Sequence, residues 1–384
     1  MSTELSRLAV EVAAAVGLQE GEAGVIRVLR AVRELDPAPT KAVSRATGLP
    51  VPIVAAVNNE LRARGVLGRE RPSRLTEYGR DLLAALPPDL SAELTCDDCG
   101  GSGVAIPDSL RVVVDRLDGH LAHMPDVDLT LDQSYATAVT KVRRVAWLLR
   151  YGLLPAPTML VLGDDDLMSL AVAEVEQALD QRLVDRLAVA DVSGALLDFI
   201  QDRIERPVEL TECDLRNELP PSLRDGFDLV TTDPPYTPAG ARLFLSRAVE
   251  ALQPGAGRSV AFSFGPKGPD DTLAIQRTVA ELGLTVQAMD RNFNEYLGAG
   301  ILAGTSHLSW LSSTADTAPV VDGRHDGPLY TADMRAADRE YRCASCGARY
   351  VVGKGGEFPM VGALKAAGCA ACGGTVFRPG ALVR

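Results

Sequence analysis

The stretch VLGDDDLMSLAVAE, residues 161–174, joins a hydrophobic run to a helical pattern through one glycine and three consecutive aspartates. TMLVLG (158–163) reads as a strand. DLMSLAVAEVEQALD (166–180) reads as a helix, with apolar residues at three-to-four spacing. In many α/β enzymes a turn of this kind is rich in glycine and cradles an anionic group. Here Asp164, Asp165 and Asp166 put negative charge where that group would sit, so the turn suits a cation.

The same alternation continues on the C-terminal side. RLAVADV (186–192) is a strand and SGALLDFIQDRI (193–204) a helix. PVELTECD (207–214) and FDLVTTDPPY (227–236) are strands, and PAGARLFLSRAVEALQP (238–254) is a helix. RSVAFSFGP (258–266), DTLAIQRTVAELG (271–283) and LTVQAMD (284–290) follow as strand, helix and strand, and SHLSWLSS (306–313) closes the series. This order predicts a doubly wound parallel, Rossmann-like sheet with helices on both faces, of the class I methyltransferase type. Ligands in such sheets bind at the carboxyl ends of the strands. Four of those ends are acidic: Gly163–Asp166, Asp191, Asp214 and Asp233–Tyr236.

The charge distribution points the same way. The net charge is −12, yet residues 25–85 carry 11 Lys/Arg against 6 Asp/Glu and residues 341–384 carry 6 against 1. The acidic excess therefore lies in the middle of the chain, which argues against a phosphate-backbone track there and fits a cationic small molecule. The chain has no apolar run long enough to span a bilayer, and its N-terminus lacks a secretory pattern, so a cytoplasmic protein is expected.

The remaining segments define four expected units. Residues 1–86 form a winged helix-turn-helix domain, with its turn at Gly48-Leu49-Pro50; DNA binding and a structural cap are its two readings. Residues 87–130 are a linker carrying Cys96 and Cys99, which His120 and His123 would complete as a Cys2His2 site; an inert turn is the alternative. Residues 131–318 are the Rossmann-like catalytic domain. Residues 338–384 are a zinc ribbon, because C-x2-C-x22-C-x2-C spacing places the thiolates of Cys343, Cys346, Cys369 and Cys372 around one Zn²⁺.

In the catalytic domain, Asp191 is expected to accept the ribose hydroxyls of an adenosine and Asp214 its adenine amino group, with Gly163 allowing close approach of the backbone. DPPY also occurs in amino-methyltransferases of nucleic-acid bases, where the acid and the prolyl backbone hold an amine and the aromatic ring stacks. Those roles fall on Asp233, Pro234 and Tyr236. The aspartates of the opening turn favour the decarboxylated cofactor, whose methionine end has lost its carboxylate and keeps an ammonium.

The runs LGDDDLMSLA, VADVSGALLDFI, CDLRNELP and FDLVTTDPPYTPAGARLFLSRA, with CDDCGGSG and LDQ, resemble the branched-chain polyamine synthase family over about residues 22–315. The resemblance implies an aminopropyltransferase that moves aminopropyl groups from decarboxylated S-adenosylmethionine to a secondary amine of spermidine. It places Asp164, Asp165 and Asp166 around the reactive amine, with Asp233 and Tyr236 in the same pocket. Asp165 and Asp233 are the two candidates for the base. NFNEYLGAGILAGTSHLSW (292–310) is expected to close the pocket, with Glu295 and Tyr296 on the distal amine. A polyamine substrate and a homodimer are expected. Two features depart from the family pattern: Ser193 stands where an acidic residue is expected, and the zinc ribbon is an addition. The competing readings are a DPPY-type nucleic-acid methyltransferase and a polyamine-sensing regulator.

Overall fold

The computed structural model describes residues 3–84, 96, 99, 103–125, 131–297, 304–330, 338–353, 356–358 and 361–382. The chain divides into two compact units. One comprises residues 1–129 and 133–326, the other residues 327–384 with 130–132. Among the described residues no helix is long and apolar enough to cross a membrane.

The larger unit is built on a seven-stranded sheet. Its strands are β1 (Ala156–Leu162), β2 (Val184–Asp191), β3 (Glu209–Glu212), β4 (Leu229–Thr232), β5 (Ser259–Phe264), β6 (Leu284–Glu295) and β7 (Thr305–Ser313). Their order is β3-β2-β1-β4-β5-β7-β6. β1 to β5 run parallel, and the apolar runs of β1, β2, β4 and β5 are buried on both faces, as in Leu160, Val161, Val189 and Val230, whereas the edge strand β3 exposes Glu209 and Glu212. The chain order reverses between β1 and β4, so the turn after β1 and the DPPY segment after β4 meet at the topological switch point.

Two expectations for this sheet change. The sheet is not parallel throughout: SHLSWLSS, the last strand of the series, inserts as β7 between β5 and β6 and runs antiparallel to both. A short connection from β6 permits that pairing, whereas a parallel one needs a long crossover. β6 also continues beyond Asp290 to Glu295, through a register shift between Asp290 and Asn294. Part of the expected pocket-closing loop is therefore strand, and residues 298–303 lie outside the described residues.

Helices α1 (Thr3–Val16), α2 (Gly21–Glu34), α3 (Thr40–Thr47), α4 (Val51–Ala63) and α5 (Glu77–Leu83) make the N-terminal part. Their apolar faces share one core that includes Leu5, Val12, Leu29, Val57 and Leu83. Where a two-stranded wing is expected, the chain makes single antiparallel bridges, Leu67 with Leu75 and Ala38 with Ser73. Helix α6 (Arg111–Leu121) lies inside the expected linker, yet Val113 and Leu117 are buried in the core of the sheet. Helices α7 (Ala138–Arg150), α8 (Met168–Leu179), α9 (Gly194–Gln201), α10 (Pro238–Ala251) and α11 (Pro269–Glu281) complete this unit.

The smaller unit has three antiparallel strands, β8 (Arg339–Cys343), β9 (Arg349–Val352) and β10 (Phe377–Leu382), in the order β10-β8-β9. Its apolar core is small, centred on Tyr350, Val352, Leu364 and Phe377.

Candidate active site

The turn after β1 separates the three aspartates. Gly163 takes φ +73°, a left-handed conformation that a side chain would strain. Its N–H donates to the Ala190 carbonyl at 2.9 Å, which ties the turn to β2. The Asp164 carboxylate then folds over the start of α8. It accepts from the Met168 amide, from the Ser169 amide at 3.2 Å and from the Ser169 hydroxyl. This closes the first turn of the helix, and burial pushes the carboxyl up to about 7 against those bonds. Asp164 was expected beside the reacting amine; its oxygens are instead committed to the helix terminus.

Asp166 is equally engaged. Its Oδ1 accepts from the Ala136 amide at 2.7 Å and its Oδ2 from Arg144 at 2.5 Å. Burial would raise this carboxyl, but Arg144 and then Lys141 outweigh it and hold Asp166 below the usual range. Asp165 lies between these two, half-buried, and accepts no hydrogen bond from the described residues. Burial, then the negative fields of Asp166, Asp191 and Asp233, push its carboxyl well above the usual range.

The balancing cations come from α7 and went unrecognised in the sequence. Arg144 is 5% exposed and bridges Asp166 to Asp233, donating to Asp233 Oδ2 at 2.8 Å. It also donates to Asn294 Oδ1 at 2.8 Å and to the Tyr296 hydroxyl at 3.0 Å. Lys141, one helical turn earlier, is fully buried and donates to the Asp166 main-chain carbonyl. Burial lowers its ammonium to about 8, against the raising fields of the aspartates.

The far wall comes from β4 and β6. Asp233 accepts from the Tyr296 hydroxyl at 2.5 Å and stands close enough to Asp166 for the two negative groups to interact. Burial lifts its carboxyl to about 7 although Arg144 opposes the rise. The Tyr236 hydroxyl donates to that of Tyr296 at 2.8 Å, and Ser306 Oγ lies 2.7 Å from the same oxygen. Asn294 donates to Ser263 at 3.1 Å and to Ser306 at 2.7 Å. Pro234 is buried just after Asp233. Thr237 caps α10 by accepting from Gly240 at 2.9 Å.

The structure thus brings together Asp165, Asp166, Asp233, Tyr236 and Tyr296, and adds Lys141, Arg144, Asn294 and Ser306. Asp191 sits beside them at the end of β2. It accepts from the Asp164 amide at 2.9 Å and from the Ser193 amide at 2.8 Å, and burial raises its carboxyl. Ser193, the departure from the family pattern, caps α9 by accepting from Leu196. Asp214 is half-buried after β3 and accepts from the Arg216 main-chain amide at 2.9 Å.

Glu295 goes elsewhere. Side chains alternate along a strand, so with Asn294 and Tyr296 turned inward Glu295 turns outward. Its carboxylate pairs with Arg45 of α3 at 2.8 Å. The Cys2His2 alternative also fails to assemble. His120 faces Glu174 at 3.2 Å and His123 faces the Gly119 carbonyl at 2.9 Å. Among the described residues neither joins Cys96 and Cys99 in a cluster of potential ligands.

In the smaller unit the four expected cysteines do converge. Their sulfurs all lie within 4.8 Å of one another, with Cys343–Cys372 at 3.6 Å and Cys346–Cys369 at 3.4 Å. Four thiolates about 2.3 Å from a tetrahedral ion stand at about this spacing.

Comparison with known proteins bears on the same residues. The profile of the branched-chain polyamine synthase A C-terminal domain matches residues 113–322. An uncharacterised protein of Methanocaldococcus jannaschii is 32% identical over 92% of this chain and 88% of its own length. The N(4)-bis(aminopropyl)spermidine synthase of Thermococcus kodakarensis is 31% identical over 67% of this chain and 73% of its own. The branched-chain polyamine synthase of Thermus thermophilus, solved in complex with N4-aminopropylspermidine and 5′-methylthioadenosine, superposes with a TM-score of 0.71 at 26% identity. It covers 87% of this chain and 99% of that one. Strand order, an acidic turn at the switch point and these matches agree, and the chain belongs to the branched-chain polyamine synthase family.

Proposed function

We propose that the protein transfers aminopropyl groups from decarboxylated S-adenosylmethionine to an amine of a polyamine such as spermidine, giving branched polyamines. The observation that carries the reading is the division of labour in the GDDD turn. Asp164 and Asp166 are consumed by the protein's own donors, whereas Asp165 accepts no hydrogen bond from any described residue. A half-buried carboxylate crowded by other negative groups favours a cationic amine, which supplies both charge and hydrogen bonds. The names of the relatives and the molecules bound to the Thermus enzyme support this reading.

The step is an in-line displacement. The acceptor nitrogen attacks the propyl carbon next to the sulfonium, the N–C bond forms, the C–S bond breaks, and 5′-methylthioadenosine leaves with the electron pair. The new ammonium then gives up one proton. Asp165 faces the reacting nitrogen and takes that proton; Asp233, held by Tyr296 and Arg144, fixes the pocket wall beside it. Tyr236 offers its ring to the substrate's methylene chain. Asp191 and Asp214 hold the ribose and adenine, and Gly163 and Pro234 let the cofactor approach the backbone. Zinc at Cys343, Cys346, Cys369 and Cys372 staples the small C-terminal unit, whose core is too small to stand alone.

Incubation with decarboxylated S-adenosylmethionine and spermidine, followed by mass analysis, tests the reading; products carrying added aminopropyl groups are expected. A parallel arm supplies S-adenosylmethionine with DNA or RNA. Transfer in that arm alone would sink the proposal.

A further inference from the structure

The helix-turn-helix segment has no part in the chemistry described so far, yet it touches the strand that carries the site. β6 breaks register between Asp290 and Asn294, and Asn292 lies inside that irregularity at φ +54°. Asparagine enters the left-handed region more readily than most residues, and here its surroundings hold it there. Two bonds do so. The Asn292 amide donates to His307 Nδ1 at 3.0 Å, and its side-chain Nδ2 donates to the Arg45 main-chain carbonyl at 2.6 Å. Burial, with Arg291 nearby, lowers His307 to about 4, so the ring is neutral and can accept.

The Arg45 carbonyl belongs to the last turn of α3, where helix carbonyls lack intrahelical partners. Asn292 supplies the missing donor. The Arg45 side chain then reaches Glu295 at 2.8 Å, three residues further along β6. Gly48, the left-handed residue of the turn, packs so closely on Arg291 that an added Cβ would stand 2.0 Å from its Nη2. In a DNA reader the residues at the start of the second helix contact base edges. Here the residue three positions ahead of α4 is covered by β6.

We propose that the helix-turn-helix is an internal clamp on the β6 bulge, with Arg45 and Asn292 as positioning residues that set Asn294 and Tyr296 against Arg144 and Asp233. The bulge decides which β6 side chains turn inward, so a clamp on it fixes the aim of the Tyr296 hydroxyl. The proposal rests on reading Tyr296 as part of the active site.

The test uses the full-length enzyme and Arg45→Glu, Glu295→Arg and the double exchange. Both side chains are nearly half exposed, so the variants fold. Each single reversal is expected to lower kcat/KM by about three- to tenfold, because small misplacements in a site are costly in rate. The double exchange should restore it to within about twofold, since the opposite charges meet again. In a Tyr296→Phe background, Arg45→Glu should cost less than about twofold, because the group it aims is gone. Hydrogen exchange of the amides of residues 290–297 reads the clamp without turnover, and should speed up in Arg45→Glu and recover in the double exchange. Unchanged exchange and rate in Arg45→Glu would overturn the clamp. So would a loss of full size in the Tyr296→Phe background. A wild-type chain that transfers no aminopropyl group, but shows the exchange pattern, would leave the clamp in place and remove the functional reading.

Discussion

Asp165 differs from its neighbours in one respect that matters: among the described residues, none donates to it. Burial, with the fields of Asp166, Asp191 and Asp233, pushes its carboxyl well above the usual range, and a bound polycation opposes that shift. Asp165→Asn should therefore abolish turnover, by at least about a hundredfold. Its melting temperature should not fall, because the substitution removes a repelling carboxylate; circular dichroism and single-turnover assays separate the two. Asp164→Ala should do the opposite in kind. It strands the Met168 and Ser169 donors and should cost about 2 kcal/mol in denaturant unfolding. The pH profile follows from the same groups. Asp233 titrates at about 7 in the free enzyme, so kcat/KM should rise with pH through that region as the carboxyls lose their protons. Lys141→Met deletes the buried ammonium that favours ionised carboxylates. It should move this acid limb to higher pH, whereas Lys141→Arg leaves it nearer its wild-type place. Superposed profiles for Lys141→Met and wild type would remove Lys141 from the electrostatics of the site.

At the scale of elements, the site depends on three chain segments arriving with the right face inward. α7 presents Lys141 and Arg144 three residues apart, on the same side of one helix. β6 presents Asn294 and Tyr296 two apart, on one face of a strand. The end of β5 contributes an absence. A Cβ at Gly265 would stand 2.5 Å from Cδ2 of Tyr236 and 2.7 Å from its Cε2. Gly265→Ala should therefore push the Tyr236 ring away from Phe264, whose centroid is 5.2 Å off, and from the Tyr296 hydroxyl. A loss of about tenfold in kcat/KM for the polyamine is expected, with a smaller effect on binding of 5′-methylthioadenosine. Steady-state kinetics and calorimetry give the two numbers. In the sequence TKVRRVAWLLR (140–150), cations at three-residue spacing sit among apolar residues, and that pattern is also what a solvated helix edge looks like. Its burial only becomes visible once β6 packs across it.

For the whole molecule, the two units have separate cores and separate sources of stability. The smaller one gathers four thiolates within 4.8 Å, so about one zinc per chain is expected by metal analysis. A strong chelator should open residues 338–382 to proteolysis, because metal binding is folding energy for a module of this size. Resistance to cleavage after complete metal removal would contradict that role. The alternation of apolar runs and helical periods was enough to determine the parallel strands β1 to β5 and their acidic ends, and the cysteine spacing was enough to predict four converging sulfurs, because each is a local pattern of side chains. That the GDDD turn and DPPY share a pocket was implied by the family resemblance; the strand order, which reverses between β1 and β4, is what brings them together. Long-range packing decided the rest. It inserted β7 inside the sheet, turned Glu295 outward to Arg45, and brought Lys141 and Arg144 beneath the acidic turn. It also assigned the three aspartates their different tasks. Adjacent identical residues are indistinguishable in a sequence, and only the donors that the fold delivers to each carboxylate tell them apart.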